Sequence, residues 1–141
     1  MIAAFSTPSN RNKSFILLAI CGLLAIAAAA VGIDDNPPGI LLAFLSAAAF
    51  VFAFVHSWRT AKKFMFLLLA SLLGFVVYII LNIILDTAAQ NPATSAALQD
   101  FLQSPVINTL SLIIVMVCAA AFIVGVVGSV AMFIRNFRRP A

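Results

Sequence analysis

The sequence predicts an all-α integral membrane protein, with four transmembrane helices in a compact bundle, both termini cytoplasmic and a short amphipathic helix in the second outer loop. Three observations predict it. Of 141 residues 65% are hydrophobic and 9% charged, with a mean hydropathy of +1.19. A soluble domain carries roughly half apolar and a quarter charged residues, because its surface must meet water. The apolar residues gather into four runs, at about 15–33, 39–57, 64–85 and 106–134, none of which contains Asp, Glu, Lys or Arg. Finally, the charges are sorted. Arg11 and Lys13 precede the first run, Arg59, Lys62 and Lys63 separate the second from the third, and Arg135, Arg138 and Arg139 follow the last. Asp34, Asp35, Asp86 and Asp100 occupy the other two connections, which hold no Lys or Arg. Cations near span ends are retained in the cytoplasm, which fixes the orientation.

Residues 1–14 read as a short cytoplasmic tail, too small to fold alone. The first run, at 1.5 Å per residue, nearly covers the roughly 30 Å hydrocarbon core. Basic residues followed by an apolar stretch ending in Ala27 to Ala30 also suit a secretory signal. Retention is favoured because hydrophobicity continues to Ile33 and a tight turn follows. Leu18-Ala19-Ile20-Cys21 brushes against a lipobox, but Ile20 stands where a small residue is needed. Asp34-Asp35-Asn36-Pro37-Pro38-Gly39 supplies the turn, since proline stops one helix and fits the first turn of the next. The second run ends by Trp58, a headgroup anchor beside Arg59.

The third run carries Ser71, Gly74, Tyr78, Asn82 and Asp86 at spacings of 3, 4, 4 and 4. That spacing places them on one helix face, and small and polar residues mark helix–helix contact in lipid. The outer loop, 86–105, is expected to hold a short helix capped at Asn91-Pro92 or Ser95, lined on one side by Leu98, Phe101 and Leu102. The fourth run exceeds the hydrocarbon thickness, so it tilts or projects before the basic tail 135–141. Ala121, Gly125 and Ser129, and Ser111, Cys118 and Gly125, repeat small residues along it. Gly22, Ala25, Ala29 and Gly32 do so in the first run, and Gly39, Ala43 and Ser46 in the second. Helix packing is therefore assigned to Gly22, Ala29, Ser71, Gly74, Tyr78, Ala121, Gly125 and Ser129.

Functional classes are narrowed mainly by what the runs lack. A proton-coupled exporter, a carboxylate relay or a voltage sensor needs an ionisable group inside the bilayer. Cys21 and Cys118 are single and lie within apolar runs, unlike a redox dithiol or a zinc site. His56, the only histidine, reads as an interfacial residue beside Trp58, without the partner ligands of a metal or haem site. No nucleophile–base set or phosphate loop is present, so neither enzymatic activity nor a cofactor is expected. The basic clusters belong to no domain that would present them to nucleic acid. One polar group remains. Asp34, Asp35, Asn36, Asn82, Asp86 and Asn108 fall at one depth on the outer side, either as a cluster able to bind a hydrated cation or polar substrate or as solvated caps and interhelical bonds, Asn82 to Asn108 among them. The functional expectation is an accessory or scaffold subunit of the bacterial cytoplasmic (inner) membrane, packing in the lipid bilayer against another membrane protein or copies of itself. The alternative is a homo-oligomeric channel or transporter for a small solute, with that cluster at its entrance.

Overall fold

The computed structural model describes residues 7–33, 36–91 and 94–137. Five helices follow in order: α1 (Pro8–Val31), α2 (Pro37–Val55), α3 (Ala61–Gln90), α4 (Ala96–Leu102) and α5 (Pro105–Phe137), with no strand among the described residues. Four helices, α1, α2, α3 and the one ending at Phe137, are long and apolar enough to cross a membrane.

Each boundary has a local cause. Thr7 caps α1, its Oγ1 accepting from the Asn10 backbone N–H at 3.4 Å, and Pro8 sits in the first turn. The helix therefore starts well before the apolar run, and Thr7-Pro8 is the signal for it. At its other end Gly32 adopts φ +86°, a conformation that favours glycine. Asn36 Nδ2 donates to the Val31 carbonyl at 2.9 Å, answering one of the open carbonyls at the end of α1. Pro37 and Pro38 then open α2. α3 runs on to Gln90, so the connection expected over 86–105 shortens to a few residues around α4. Thr94 Oγ1 donates to the Ala88 carbonyl at 2.8 Å and Gln99 Nε2 to the Asn91 carbonyl at 3.1 Å, tying α4 to the end of α3. Ser95 precedes α4, but its side chain makes no cap bond. Leu98 and Phe101 are exposed and Leu102 is half-buried.

The long helices pack as a row. α1 lies on α2, α2 on α5 and α5 on α3, while α4 lies on α3. Burial follows that order: 11% of the most apolar stretch is buried in α1 and in α3, at the two ends, against 33% in α2 and 22% in the fourth long helix. α2 has two working faces. Gly39, Ser46 and Ala53 meet α1: a Cβ on Gly39 would overlap the Gly32 carbonyl, Ser46 Oγ donates to the Cys21 carbonyl at 2.9 Å, and Ser14 Oγ donates to the Ala53 carbonyl at 2.9 Å. Its other face, Ala47, Val51 and Val55, forms the core with Ala120, Ala121 and Val124 of α5 and Phe64 of α3. Trp58 closes this end, its ring edge-on to Phe64 at 5.5 Å.

That core lies at the end of the helices that carries Lys62, Lys63 and Arg135. Towards the opposite end the corresponding faces of α2 and α5 are uncovered. Leu110 and Ile113 continue the helical face of Val117 yet are exposed, as are Ile40 and Leu41 above Phe44. Buried contact between the two helix pairs, α1/α2 and α5/α3, is thus concentrated towards the end that carries Lys62, Lys63 and Arg135.

Candidate functional site

The α3–α5 seam gathers most of the residues that the sequence marks for packing. Ser71 is buried and Gly74, Tyr78 and Asn82 are half-buried, so four members of the polar stripe turn towards α5. Against them α5 presents a run of small residues at sevenfold spacing. A Cβ on Gly74 would stand 3.5 Å from Cys118 Sγ, and one on Gly125 would stand 3.0 Å from Leu68 Cβ. One on Gly128 would overlap the Phe64 ring. Gly128 falls outside the fourfold and sevenfold small-residue spacings but lies three residues beyond Gly125 on the same face. Ala121 is buried in the core. Ser129 is half-buried, and its hydroxyl is buried without a hydrogen-bond partner.

Gly22 and Ala29 stand differently. Both are exposed, as is Ala25, and a Cβ on Gly22 would meet nothing within 4 Å. The residues of α1 that are buried are Ser14 and Ala28. Gly22, Ala25 and Ala29 therefore lie along an edge that no other described helix covers, while Ser14 and Ala28 face the chain's own interior.

The outer polar group divides. Asp34 and Asp35 lie outside the described residues. Asn36 is occupied with the end of α1, as described above. Asn82 bonds neither Asn108 nor any backbone carbonyl across the seam; its Nδ2 donates to Tyr78 Oη at 3.0 Å, one turn back on its own helix. Ser71 likewise turns inward on its helix, donating to the Leu68 carbonyl at 2.8 Å. What remains together is Asn82, Asp86 and Asn108, which line one cleft of about 310 Å³ with Tyr78, Leu85, Leu102, Ile107, Ser111, Leu112 and Val115. On the other side of the seam Tyr78, Asn82 and Ser111 also border an apolar groove of about 270 Å³ floored by Gly74, Val77 and Ile114. A larger hollow at Ile83, Asp86, Thr87, Gln90 and Asn91 is bounded by α3 and its C-cap alone, so it is a helix surface.

Among the described residues, no three His, Cys, Asp or Glu side chains come close enough to hold a metal ion. His56 is half-buried at the end of α2. Its Nδ1 lies 3.3 Å from the Phe52 carbonyl, which can only accept, and its Nε2 is buried without a partner. Chemically the seam offers hydrogen bonds and one carboxylate over an apolar floor. Compared with known families, characterised proteins and solved structures, the chain matches none of them.

Proposed function

We propose that this is a multi-pass protein of the bacterial cytoplasmic membrane, with both termini cytoplasmic, that acts as a non-enzymatic accessory or scaffold subunit by packing helices against another membrane protein or copies of itself. The orientation rests on the sorting of charge, with Lys62, Lys63 and Arg135 at one end of the long helices and Asp86 and Asp100 at the other. α4 then lies on the outer side.

The observation that carries the packing role is a contrast between helices. Gly39 and Ser46 of α2, Ser71 and Gly74 of α3 and Ala121 and Gly125 of α5 are buried or half-buried in contacts within the chain, whereas Gly22, Ala25 and Ala29 of α1 are left exposed at the end of the row, although Ser14 and Ala28 of the same helix are buried. Lipid tails are as apolar as leucine, so helices associate in a bilayer by close approach, which small residues permit. A channel draws less support. The polar stripe of α3 stops at Ser71, and both Ser71 and Asn82 bond within their own helix.

The test is gentle extraction of the tagged protein from its native membrane, followed by mass measurement of the intact assembly. A second protein, or a second copy, is expected at fixed stoichiometry and is lost in the Gly22→Leu/Ala29→Leu variant. Recovery of the wild type as a monomer contradicts the proposal.

A further inference from the structure

We propose that the cleft between α3 and α5 seats a phospholipid with a primary ammonium head group, such as phosphatidylethanolamine. The inference rests on the membrane reading above and is independent of any protein partner. Its starting point is a set of polar groups without partners. Thr87, Thr109 and Ser71 each satisfy their hydroxyl on a carbonyl of their own helix, at 2.7, 2.7 and 2.8 Å. Ser111 does not, although the same carbonyls are within reach of a helical serine. Among the described residues, the Ser111 hydroxyl, the Asn108 amide and the Asp86 carboxylate make no hydrogen bond or ion pair, and all three line the same cleft. Asp86 and Asn108 are exposed and Ser111 is half-buried, so the three are open to a ligand, and at the edge of a bilayer a polar partner suits them better than lipid tails do.

The order of chemistry along the cleft indicates what answers them. Asp86 lies at the mouth, Asn82 one turn deeper and Tyr78 a further turn, about 12 Å along α3. On α5, which runs the opposite way, Asn108 is level with the mouth, Ser111 is deeper, and Leu112 and Val115 form the floor. A charge at the surface, donors below it and an apolar floor reproduce the profile of a phospholipid, from head group through phosphate and ester oxygens to acyl chain. The sign of the head group follows from charge. Asp86 is the acidic residue of the cleft, and the cations Lys62, Lys63 and Arg135 lie at the opposite end of the helices. An ammonium pairs with Asp86, while phosphate oxygens accept from Asn108 and Ser111. A purely anionic head group would place its charge against that carboxylate.

The experiment is native mass spectrometry of the full chain in detergent with equal amounts of palmitoyl-oleoyl phosphatidylethanolamine and phosphatidylglycerol. Carbonate washing of the membranes, done first, tests integral insertion separately. Wild type is expected to retain phosphatidylethanolamine, and Asp86→Asn to lower that occupancy about fivefold, the scale of one partly screened ion pair. Phosphatidylglycerol occupancy is expected to stay within about twofold in the same variant, because it reads the basic end. Ser111→Ala, which keeps the helix and the carboxylate, is expected to lower phosphatidylethanolamine occupancy as well. Occupancy unchanged in both variants, or an equal loss of both lipids in Asp86→Asn, overturns the proposal, even where carbonate washing leaves the protein in the membrane.

Discussion

Ser46 and Ser129 occupy similar helix faces but meet different surroundings. The Ser46 hydroxyl bridges two helices through the Cys21 carbonyl, with Cys21 Sγ also 3.4 Å away, whereas the Ser129 hydroxyl is buried without a partner. Ser46→Ala is expected to lower stability by about 0.6 kcal/mol, the usual size of an interhelical hydrogen bond in a membrane protein. Ser129→Ala is expected to raise it by up to about 1 kcal/mol, since an unmet buried hydroxyl is removed and the packing kept. Thermal unfolding of the detergent-solubilised variants measures both, and a larger loss for Ser129→Ala than for Ser46→Ala contradicts this reading. Glycine supplies a second contrast. Gly128→Leu drives a side chain into the Phe64 ring and is expected to cost about 1–3 kcal/mol. Gly22→Leu meets open space and is expected to change the fold by less than about 0.5 kcal/mol.

At the scale of elements, the row makes a prediction about which helices can be joined. Ser46→Cys places a second thiol beside Cys21, and Gly74→Cys places one beside Cys118, so both pairs are expected to form disulfides on mild oxidation. A pair built from Ile26→Cys on α1 and Leu69→Cys on α3, both exposed at opposite ends of the row, is expected not to close within one chain. Gel mobility after oxidation and alkylation reads all three. The four long helices were legible in the sequence because uninterrupted apolar runs and sorted charge are strong signals. The stripe on α3 was legible too, since spacings of three and four define a helix face whatever covers it. Helix order and the exposure of Gly22 and Ala29 were not legible. Nearly every helix here is apolar all round, so no amphipathic pattern marks which side is covered, and a small residue says that close approach is possible without naming the neighbour. The division of the outer polar group was hidden for a different reason. Asn36 and Asn82 find partners within a turn or two of themselves, and local partners compete with distant ones without leaving a trace in spacing.

For the molecule as a whole, sorted charge and an incomplete row lead to two further expectations. With Cys21 and Cys118 replaced by Ala, a cysteine at Gln99 is expected to react with a membrane-impermeant maleimide on intact cells, while one at Ser9 reacts only after permeabilisation. The reverse pattern contradicts the orientation. The apolar faces then sort by use. The outward face of α3, with Leu69, Leu73, Val76 and Ile80 exposed, is bulky and suits lipid tails. The edge of α1 at Gly22, Ala25 and Ala29 is small and suits another helix. The most direct measurement of that difference is photo-crosslinking in native membranes from a benzoylphenylalanine placed at Ala25, compared with one at Leu73. A discrete protein adduct from position 25, stronger than any from position 73, is the result this account predicts; no protein adduct from position 25, or an equal yield from both positions, contradicts it.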